Sequence, residues 1–240
     1  MILRRIEGSR YSEVLPLWRG HTVVIIGGGE SLTRDQIELA RAAHAADRCR
    51  CIAINDAYLW APWADVGYAA DPHWHGWHTH GVAKPLLGLT ADEVRERWES
   101  FLGQKCSIES GGSAAIDDDV HLLRNRDYPV LGFGLSEDPR ALVTGRNSGF
   151  QALNLATLAG ASPILLLAFD GKPGAAKSHW HGGHPQPTPP AAYEQYRRAM
   201  SAAENALLRL GIEVINVTPG SAIDSFRKSS LEAEFELERV

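Results

Sequence analysis

Residues 22–32, Thr-Val-Val-Ile-Ile-Gly-Gly-Gly-Glu-Ser-Leu, decide the fold, because an apolar, β-branched run breaks directly into three glycines. Residues 23–26 predict a strand buried on both faces, as in a parallel sheet. Gly27, Gly28 and Gly29 permit positive φ angles and let a ligand approach the backbone closely. A helical pattern follows, and the N–H groups at a helix N-terminus attract anions. This order of strand, glycine turn and helix is typical of a nucleotide phosphate site.

The glycine turn differs from two common phosphate-binding motifs. A dinucleotide fingerprint reads Gly-x-Gly-x-x-Gly and has an acid at the end of the second strand. Here Leu32 takes the place of the third glycine, and the second strand ends in Asn55. No Gly-Lys-Ser/Thr follows the turn, which excludes a P-loop. A strand-turn-helix unit without any ligand is the alternative interpretation.

Composition predicts a single domain over residues 1–240. A chain of this length with 44% hydrophobic residues can bury one large core with a small lid. The net charge of −5 argues against nucleic acid as a partner, although a local basic groove would not show in the total. The three cysteines have no zinc spacing and suit a reducing compartment. With neither a signal peptide nor a long apolar run, we expect a cytoplasmic protein with no membrane partner.

Strand and helix patterns alternate along the chain, which predicts a doubly wound, mostly parallel Rossmann-like α/β sheet with helices on both faces. The predicted strands are 23–26, 51–55, 65–70, 163–168 and 213–217. The predicted helices are 32–46, 90–98, 149–159 and 190–210. Residues 103–140 are less regular and predict edge strands and loops, including a short apolar piece at 130–133. We expect lid segments within 72–140 and 171–190.

Polar residues follow most of the predicted strands. In open parallel sheets the ligand lies beyond the carboxyl ends of the strands. The residues at these ends are Gly27, Gly28, Gly29, Glu30, Ser31, Asn55, Asp71, Asp170 and Asn216. Asn and Asp also favour caps and turns, so a structural role is the alternative for each one taken singly. Together they predict one ligand site.

Histidines form two clusters. His73, His75, His78 and His80 lie among tryptophans just after Asp71, and the plainest interpretation is an aromatic-rich surface helix. The second cluster, in Ser178-His-Trp-His-Gly-Gly-His184, lies between glycines and prolines and therefore in a loop.

Two chemical roles fit the second cluster. Neutral imidazoles spaced this closely can bind a divalent metal, or one of them can act as a general base near neutral pH. The spacing also resembles the metallo-β-lactamase zinc motif, but that motif requires an acid where this chain has Gly183. We favour the base, with His184 ahead of His181.

The order of these motifs resembles a known superfamily. Over residues 22–226 the chain carries Gly-Gly-Gly-Glu-Ser-Leu, Asn55 after the second strand, Asn147-Ser148-Gly149 opening an Ala-rich helix, Asp170 after a buried strand, the histidine loop, and Asn216-Val-Thr-Pro-Gly-Ser221. This is similar to the Rossmann-type superfamily that joins bacterial family 42 sialyltransferases to archaeal 6-hydroxymethylpterin pyrophosphokinase-like proteins. Its first loop usually has proline where this chain has Glu30.

The resemblance implies the roles of several residues. It places Gly27 to Ser31, Asn55 and Asn147 to Gly149 around the phosphates and ribose of a nucleotide. It also places a base in the histidine loop, where a one-residue shift selects His184 and leaves His181 as a competitor. Lys172 and Lys177 stand where the sialyltransferases have tyrosines that assist the departing phosphate.

These observations predict a nucleotide-dependent transferase that is glycosyltransferase-like and uses a nucleotide or nucleotide-sugar donor. Asn55 and Asp71 would orient the ribose or base, and a lysine, Lys172 or Lys177, would neutralise the leaving phosphate. His184 or His181 would take the proton of the acceptor.

Two other classes of function stay open. The first is an ATP-dependent diphosphokinase, in which Asp71 and Asp170 hold a divalent Mg²⁺ or Mn²⁺ ion. The second is a nucleotide-binding protein without catalysis. The acceptor and the identity of any metal ligand are left undetermined, and a homo-oligomer is compatible with the sequence.

Overall fold

The computed structural model describes residues 1–79, 87–110, 116–126, 134–177, 179–182 and 188–237. The strands in these ranges are β1 Leu3–Arg5, β2 Ser12–Val14, β3 Thr22–Ile26, β4 Cys49–Ile54, β5 Val66–Tyr68, β6 Gln104–Ile108, β7 His121–Asn125, β8 Ala141–Leu142, β9 Ile164–Leu167, β10 Val214–Asn216 and β11 Arg227–Lys228. The α-helices are α1 Arg34–Ala45, α2 Pro72–Thr79, α3 Ala91–Glu99, α4 Ser148–Leu158, α5 Pro190–Leu210 and α6 Leu231–Leu237, and a 3-10 helix spans Asn55–Leu59.

The main sheet has nine strands in the order β11-β10-β9-β3-β4-β5-β6-β7-β8. All of its neighbouring strands are parallel, and β1 and β2 form a separate antiparallel pair. The chain starts the sheet at β3, moves outward to β8, and then returns to place β9 on the other side of β3. A ligand crevice is expected where the strand order reverses in this way. The predicted doubly wound α/β sheet is confirmed, and its main sheet is parallel throughout the described residues.

Strand β3 lies at the centre of the core. Val23 and Ile25 face one hydrophobic layer, which includes α4, while Val24 and Ile26 face the layer that includes α1. All four side chains are fully buried, as the continuous apolar run predicted. Burying a side chain of this size stabilises the fold by roughly 1.5–3 kcal/mol. The glycine turn therefore follows a strand whose apolar side chains are fully buried.

Two helices begin at capping boxes. In α3 the Thr90 hydroxyl accepts the Glu93 N–H at 3.2 Å, and the Glu93 carboxylate accepts the Thr90 N–H at 2.7 Å. This capping box was predicted from the sequence, and its backbone hydrogen bond lowers the pKa of Glu93. Helix α1 begins at Arg34, two residues later than predicted, because Thr33 and Gln36 form a second capping box. Glu30 and Ser31 consequently belong to the turn.

Part of the irregular segment 103–140 belongs to the main sheet. Strands β6 and β7 extend it beyond β5, but neither is an edge strand as expected, because β8 pairs with the far side of β7. The apolar piece at 130–133 lies outside the described residues. A lid role for the remaining parts of 72–140 and 171–190 stays a prediction. Among the described helices, none is both long enough and apolar enough to cross a membrane.

Candidate functional site

A cleft of about 650 Å³ lies at the carboxyl ends of the central strands, where the strand order reverses. Most of the residues predicted for the site line it, namely Gly27, Gly28, Gly29, Asn55, Asp71, Asn147, Ser148, Gly149, Asp170, Lys172 and His181. They come from the ends of β3, β4, β5 and β9, from the start of α4 and, for His181, from the loop between β9 and α5. The fold thus brings together residues that are more than 150 positions apart in the chain, as the strand-end argument predicted.

Gly27 and Gly29 are required for a reason other than the predicted one. None of Gly27, Gly28 and Gly29 has a positive φ angle. Gly27 donates its N–H to Leu167 O at 2.8 Å, and Gly29 donates its own to Ala168 O at 3.0 Å. A Cβ at Gly29 would overlap the Asp170 carboxylate and lie 2.6 Å from Ala168 O. The turn is glycine-rich because it packs against the segment after β9, and two of its N–H groups are used within the protein.

Glu30 and Ser31 lie outside the main cleft. The exposed carboxylate of Glu30 accepts backbone N–H groups from Ala175, Ala176 and Lys177 at 2.6–3.1 Å. These hydrogen bonds, led by that from Ala176, lower the pKa of Glu30. Ser31 donates its N–H to Asp170 Oδ2 at 3.4 Å. Both residues face a side cavity of about 440 Å³, and Glu30 fastens the loop after β9 to the glycine turn.

The cleft wall contains three residues other than glycine in left-handed backbone conformations. Asn55, Arg146 and Ala168 have φ angles of 50°, 51° and 59°. Such conformations cost roughly 1–3 kcal/mol each and occur often at ligand sites. Asn55 begins the 3-10 helix, and its Oδ1 is buried without a hydrogen-bond partner among the described residues. This oxygen is therefore available to a hydrogen-bond donor of a ligand.

The N-terminus of α4 forms one end of the cleft. Asn147 caps the helix by accepting the Gly149 N–H at 2.7 Å. Arg146 precedes the cap, and Lys172 lines the same cleft from the loop after β9. The partial positive charge of a helix N-terminus adds to the charges of the two side chains. An anionic group is expected to bind here.

Asp170 places a carboxylate beside the glycine turn, where it packs against Gly29 and accepts the Ser31 N–H. Asn216, the other polar residue predicted at a neighbouring strand end, has a structural role instead. Its side chain is fully buried and bonds to Ser221, Ile223 and Thr218. The ligand role predicted for Asn216 is therefore wrong, because all of its polar atoms hold the loop after β10.

A buried carboxylate that sequence reasoning missed lies beside the cleft. Asp56 Oδ1 accepts the indole N–H of Trp74 at 2.8 Å and lies 2.9 Å from His78 Nε2. Asp56 Oδ2 lies 2.9 Å from His181 Nε2. The side chains of Asp56, His78 and His181 are 5%, 0% and 1% exposed. We call Asp56, Trp74, His78 and His181 the Asp56 centre.

The Asp56 centre places a carboxyl group beside His181. This group accepts the Trp74 indole N–H and lies within ion-pair distance of two imidazoles. At 2.9 Å from His181 Nε2, Asp56 Oδ2 is close enough to stabilise a positive charge on the imidazole. A base oriented by a carboxylate is the arrangement used in many nucleophilic and proton-transfer sites.

Trp180 fixes the backbone that carries His181. The indole is buried and contacts Trp60, with ring centroids 3.9 Å apart. The Trp180 backbone N–H donates to Gly28 O at 3.2 Å, and Lys177 Nζ donates to Trp180 O at 2.5 Å. The histidine segment is thus attached directly to the glycine turn.

The prediction of a surface helix for the first histidine cluster is wrong. Trp74, His75 and His78 of α2 are buried against the sheet, and burial lowers the pKa of His75. Asp71 lies at the start of α2, where it accepts the His73 N–H at 2.9 Å and is itself exposed. The sequence signal that we missed is Asp56, which directly follows Asn55 after β4 and contacts Trp74 and His78 of α2.

His184, the residue we favoured as the base, lies outside the described residues, as do His80 and Ser178. Within the described ranges, no group of three or more His, Cys, Asp and Glu side chains is arranged to hold a metal ion. A divalent metal at this site stays a prediction. Of the two predicted bases, His181 is the one that the structure places in the cleft wall.

Comparisons with models of known protein families, with curated proteins and with solved structures found no match to this chain.

Proposed function

We propose that this chain is a nucleotide-dependent transferase of the glycosyltransferase-like kind, with His181 as its general base. The observation that carries the proposal is the pair of Asp56 and His181, 2.9 Å apart, in the wall of the cleft at the strand reversal. An oriented imidazole serves proton transfer, and the same cleft offers a site for an anion. Transfer from a nucleotide-activated sugar needs both a base for the acceptor proton and a site for the anionic phosphates.

The phosphates of the donor bind at the N-terminus of α4. Ser148 opens this helix, and Arg146 and Lys172 supply the positive charge. The Gly27 and Gly29 N–H groups are already bonded within the protein, so the helix is the better phosphate site than the glycine turn. The two cations also stabilise the negative charge that builds up on the leaving phosphate.

Asn55 binds a hydroxyl of the donor, on the ribose or the sugar. Its Oδ1 is buried in the cleft lining and has no partner among the described residues. A buried acceptor left unpaired costs about 1–3 kcal/mol, and a ligand hydroxyl removes that cost. The unpaired oxygen of Asn55 therefore favours binding of a ligand that carries a hydroxyl group.

His181 takes the proton from the acceptor hydroxyl. The acceptor oxygen then bonds to the anomeric carbon as the bond from that carbon to the phosphate oxygen breaks. The nucleotide leaves with the electron pair of that bond, and the imidazolium formed on His181 is balanced by Asp56. General-base catalysis of this kind contributes roughly 10²–10⁴-fold to the rate.

One observation favours a diphosphokinase as the second candidate. The Asp170 carboxylate lies beside the glycine turn, close to where the resemblance places phosphates. Two anions there require a cation between them, and Mg²⁺ is usually bound by one or two carboxylates together with substrate phosphates. Asp170 and Asp71 would then hold Mg²⁺ or Mn²⁺ with ATP.

Titration calorimetry with CMP, UDP and ATP, each with and without Mg²⁺, tests the proposal. The transferase requires binding of a pyrimidine nucleotide without metal, followed by hydrolysis or transfer of the matching nucleotide sugar. Binding of ATP only with Mg²⁺ would establish the diphosphokinase instead. Binding of a nucleotide without turnover of any donor would leave a non-catalytic binding protein. Arg146→Ala should weaken binding of the nucleotide, whereas Arg209→Ala, an exposed arginine paired with Glu137, should not.

A further inference from the structure

Helix α5 brings two tyrosines into the lining of the cleft. Tyr193 and Tyr196 lie near the start of the helix, three positions apart and therefore on the same face. Their rings meet edge to face, with centroids 5.9 Å apart and planes at 70°. We call these two residues the tyrosine pair. Neither the phosphate site nor the general base uses their side chains.

The two rings of the tyrosine pair are buried to different extents. Tyr193 is only 7% exposed and packs behind Tyr196, which is half-buried. Burial, followed by the charge of Tyr193, raises the pKa of Tyr196, so its ring stays uncharged near neutral pH. Tyr196 therefore presents part of a neutral aromatic ring to the cleft.

The tyrosine pair lies beside the phosphate site. Helices α4 and α5 pack in the same hydrophobic layer, and the first residues of both helices line the cleft. Arg197, which follows Tyr196, donates to Gly171 O at 2.7 Å. Gly171 directly precedes Lys172, so this hydrogen bond ties the tyrosine pair to the loop that carries the lysine. Buried Ile223 lines the cleft here as well and packs against Gly171, which makes this part of the wall apolar.

The strand order separates the tyrosine pair from the general base. In the order β10-β9-β3-β4, Gly171 and Ile223 follow β9 and β10, whereas Asp56 follows β4 and lies beside His181. A nucleotide sugar carries its base and its sugar on opposite sides of the phosphates. When the sugar is directed towards His181, the base is directed towards the tyrosine pair.

We propose that Tyr196, supported from behind by Tyr193, is the stacking surface for the nucleobase of the donor. The proposal rests on the proposed function, because it names the part of the cleft that takes the base of the same donor. Stacking of a base on an aromatic side chain is worth roughly 1–3 kcal/mol and tolerates every base. The tyrosine pair therefore favours a ligand with a flat aromatic ring without choosing between bases.

Titration calorimetry of the full chain with CMP, UMP and AMP, compared with ribose 5-phosphate, tests this proposal. Ribose 5-phosphate keeps the phosphate and the pentose and lacks only the base. The wild type should bind at least one of the nucleotides about 10-fold more tightly than ribose 5-phosphate. Tyr196→Ala should weaken binding of that nucleotide about 10-fold and leave the affinity for ribose 5-phosphate within about twofold.

Three further variants separate stacking from other effects. Tyr196→Phe keeps the ring and should retain the affinity of the wild type for the nucleotide. Leu208→Ala changes an exposed residue at the far end of α5 and should leave all affinities unchanged. If Tyr196→Ala does not fold, Tyr196→Leu decides in its place, because leucine keeps much of the apolar volume without an aromatic ring.

Equal nucleotide affinity in the wild type and Tyr196→Ala would overturn the stacking surface and leave the proposed function standing. A loss in Tyr196→Phe as large as that in Tyr196→Ala would assign the effect to the hydroxyl and would also overturn stacking. No binding of any nucleotide would overturn both proposals. Nucleotide binding that depends on the Tyr196 ring, without turnover of any donor sugar, would refute the transferase and leave the stacking surface standing.

Discussion

The glycine turn and the Asp56 centre both contribute residues to the lining of the same cleft, but only the glycine turn could be recognised from the sequence. The turn is contiguous in the chain, and its composition marks it at once. The Asp56 centre is assembled from the end of β4, the buried face of α2 and the histidine loop. In the turn most identified polar groups are bonded within the protein, whereas the centre orients an imidazole at the cleft. The conspicuous motif thus mainly builds the scaffold, whereas the Asp56 carboxyl group beside His181 belongs to no motif that we recognised in the sequence.

The largest expected effect comes from the Asp56 centre. His181→Gln should lower kcat about 10³-fold, equivalent to ~4 kcal/mol of transition-state stabilisation, because the general base is lost. Steady-state kinetics with the donor found by calorimetry would measure it. His21→Gln, at the opposite end of β3, is the control and should retain activity. Wild-type rates in His181→Gln would exclude His181 as the base and return attention to His184.

Gly29→Ala tests whether the glycine turn is structural. The added Cβ would overlap the Asp170 carboxylate and approach Ala168 O, so we expect a loss of roughly 3 kcal/mol in the free energy of unfolding. Gly28→Ala is a matched control, since its Cβ would make an ordinary contact at 3.4 Å with His179. Urea denaturation of the two variants gives the difference. Equal stability would mean that the turn has room for a side chain and that its glycines serve the ligand.

Asp170→Asn distinguishes a ligand-facing acid from a structural one. The change should leave the melting temperature within a few degrees, because an amide oxygen still accepts the Ser31 N–H. Turnover should fall about 100-fold, or ~2.7 kcal/mol, if the charge of Asp170 acts on the ligand or a metal. Kinetics and thermal melts of the same sample give both numbers. Parallel losses of stability and activity would assign Asp170 to the packing of the turn.

The smallest expected effect is a pH dependence of stability far from the cleft. Burial, helped by Arg5, lowers the pKa of His121 to about 4, and neutral His121 bonds to Ser12 and Gln104. The unfolded chain takes up its proton first, so this histidine reduces stability as the pH falls from about 6.5 to about 4. His121→Gln should flatten the fall of the urea midpoint over that range. An unchanged slope would show that other groups, such as buried His75, account for it.

Sequence reasoning placed the sheet well where a local pattern was strong. The apolar run of β3 and the capping box of Thr90 and Glu93 are decided by neighbours in the chain, and the structure confirms both. It was less exact at the start of α1, where the second capping box, at Thr33, was overlooked. It was wrong about α2, because Trp74 and His78 form a helix whose burial depends on a carboxylate from another strand end.

The sequence alone determined the class of the fold and the edge of the sheet at which the cleft forms. Hydrophobic periodicity and glycine positions act over a few residues, and parallel strands carry their polar ends to one edge whatever the details of packing. Tertiary structure alone decided which polar groups face the ligand and which bond to the protein. The Asn216 side chain bonds within the loop that follows β10, and the Glu30 carboxylate accepts backbone N–H groups of the loop after β9. The Asp56 carboxyl group lies beside two imidazoles and an indole from distant segments. The reason is that a hydrogen bond in the interior depends on distances of about 3 Å between residues that the chain separates by tens of positions, and only the packed fold fixes those distances.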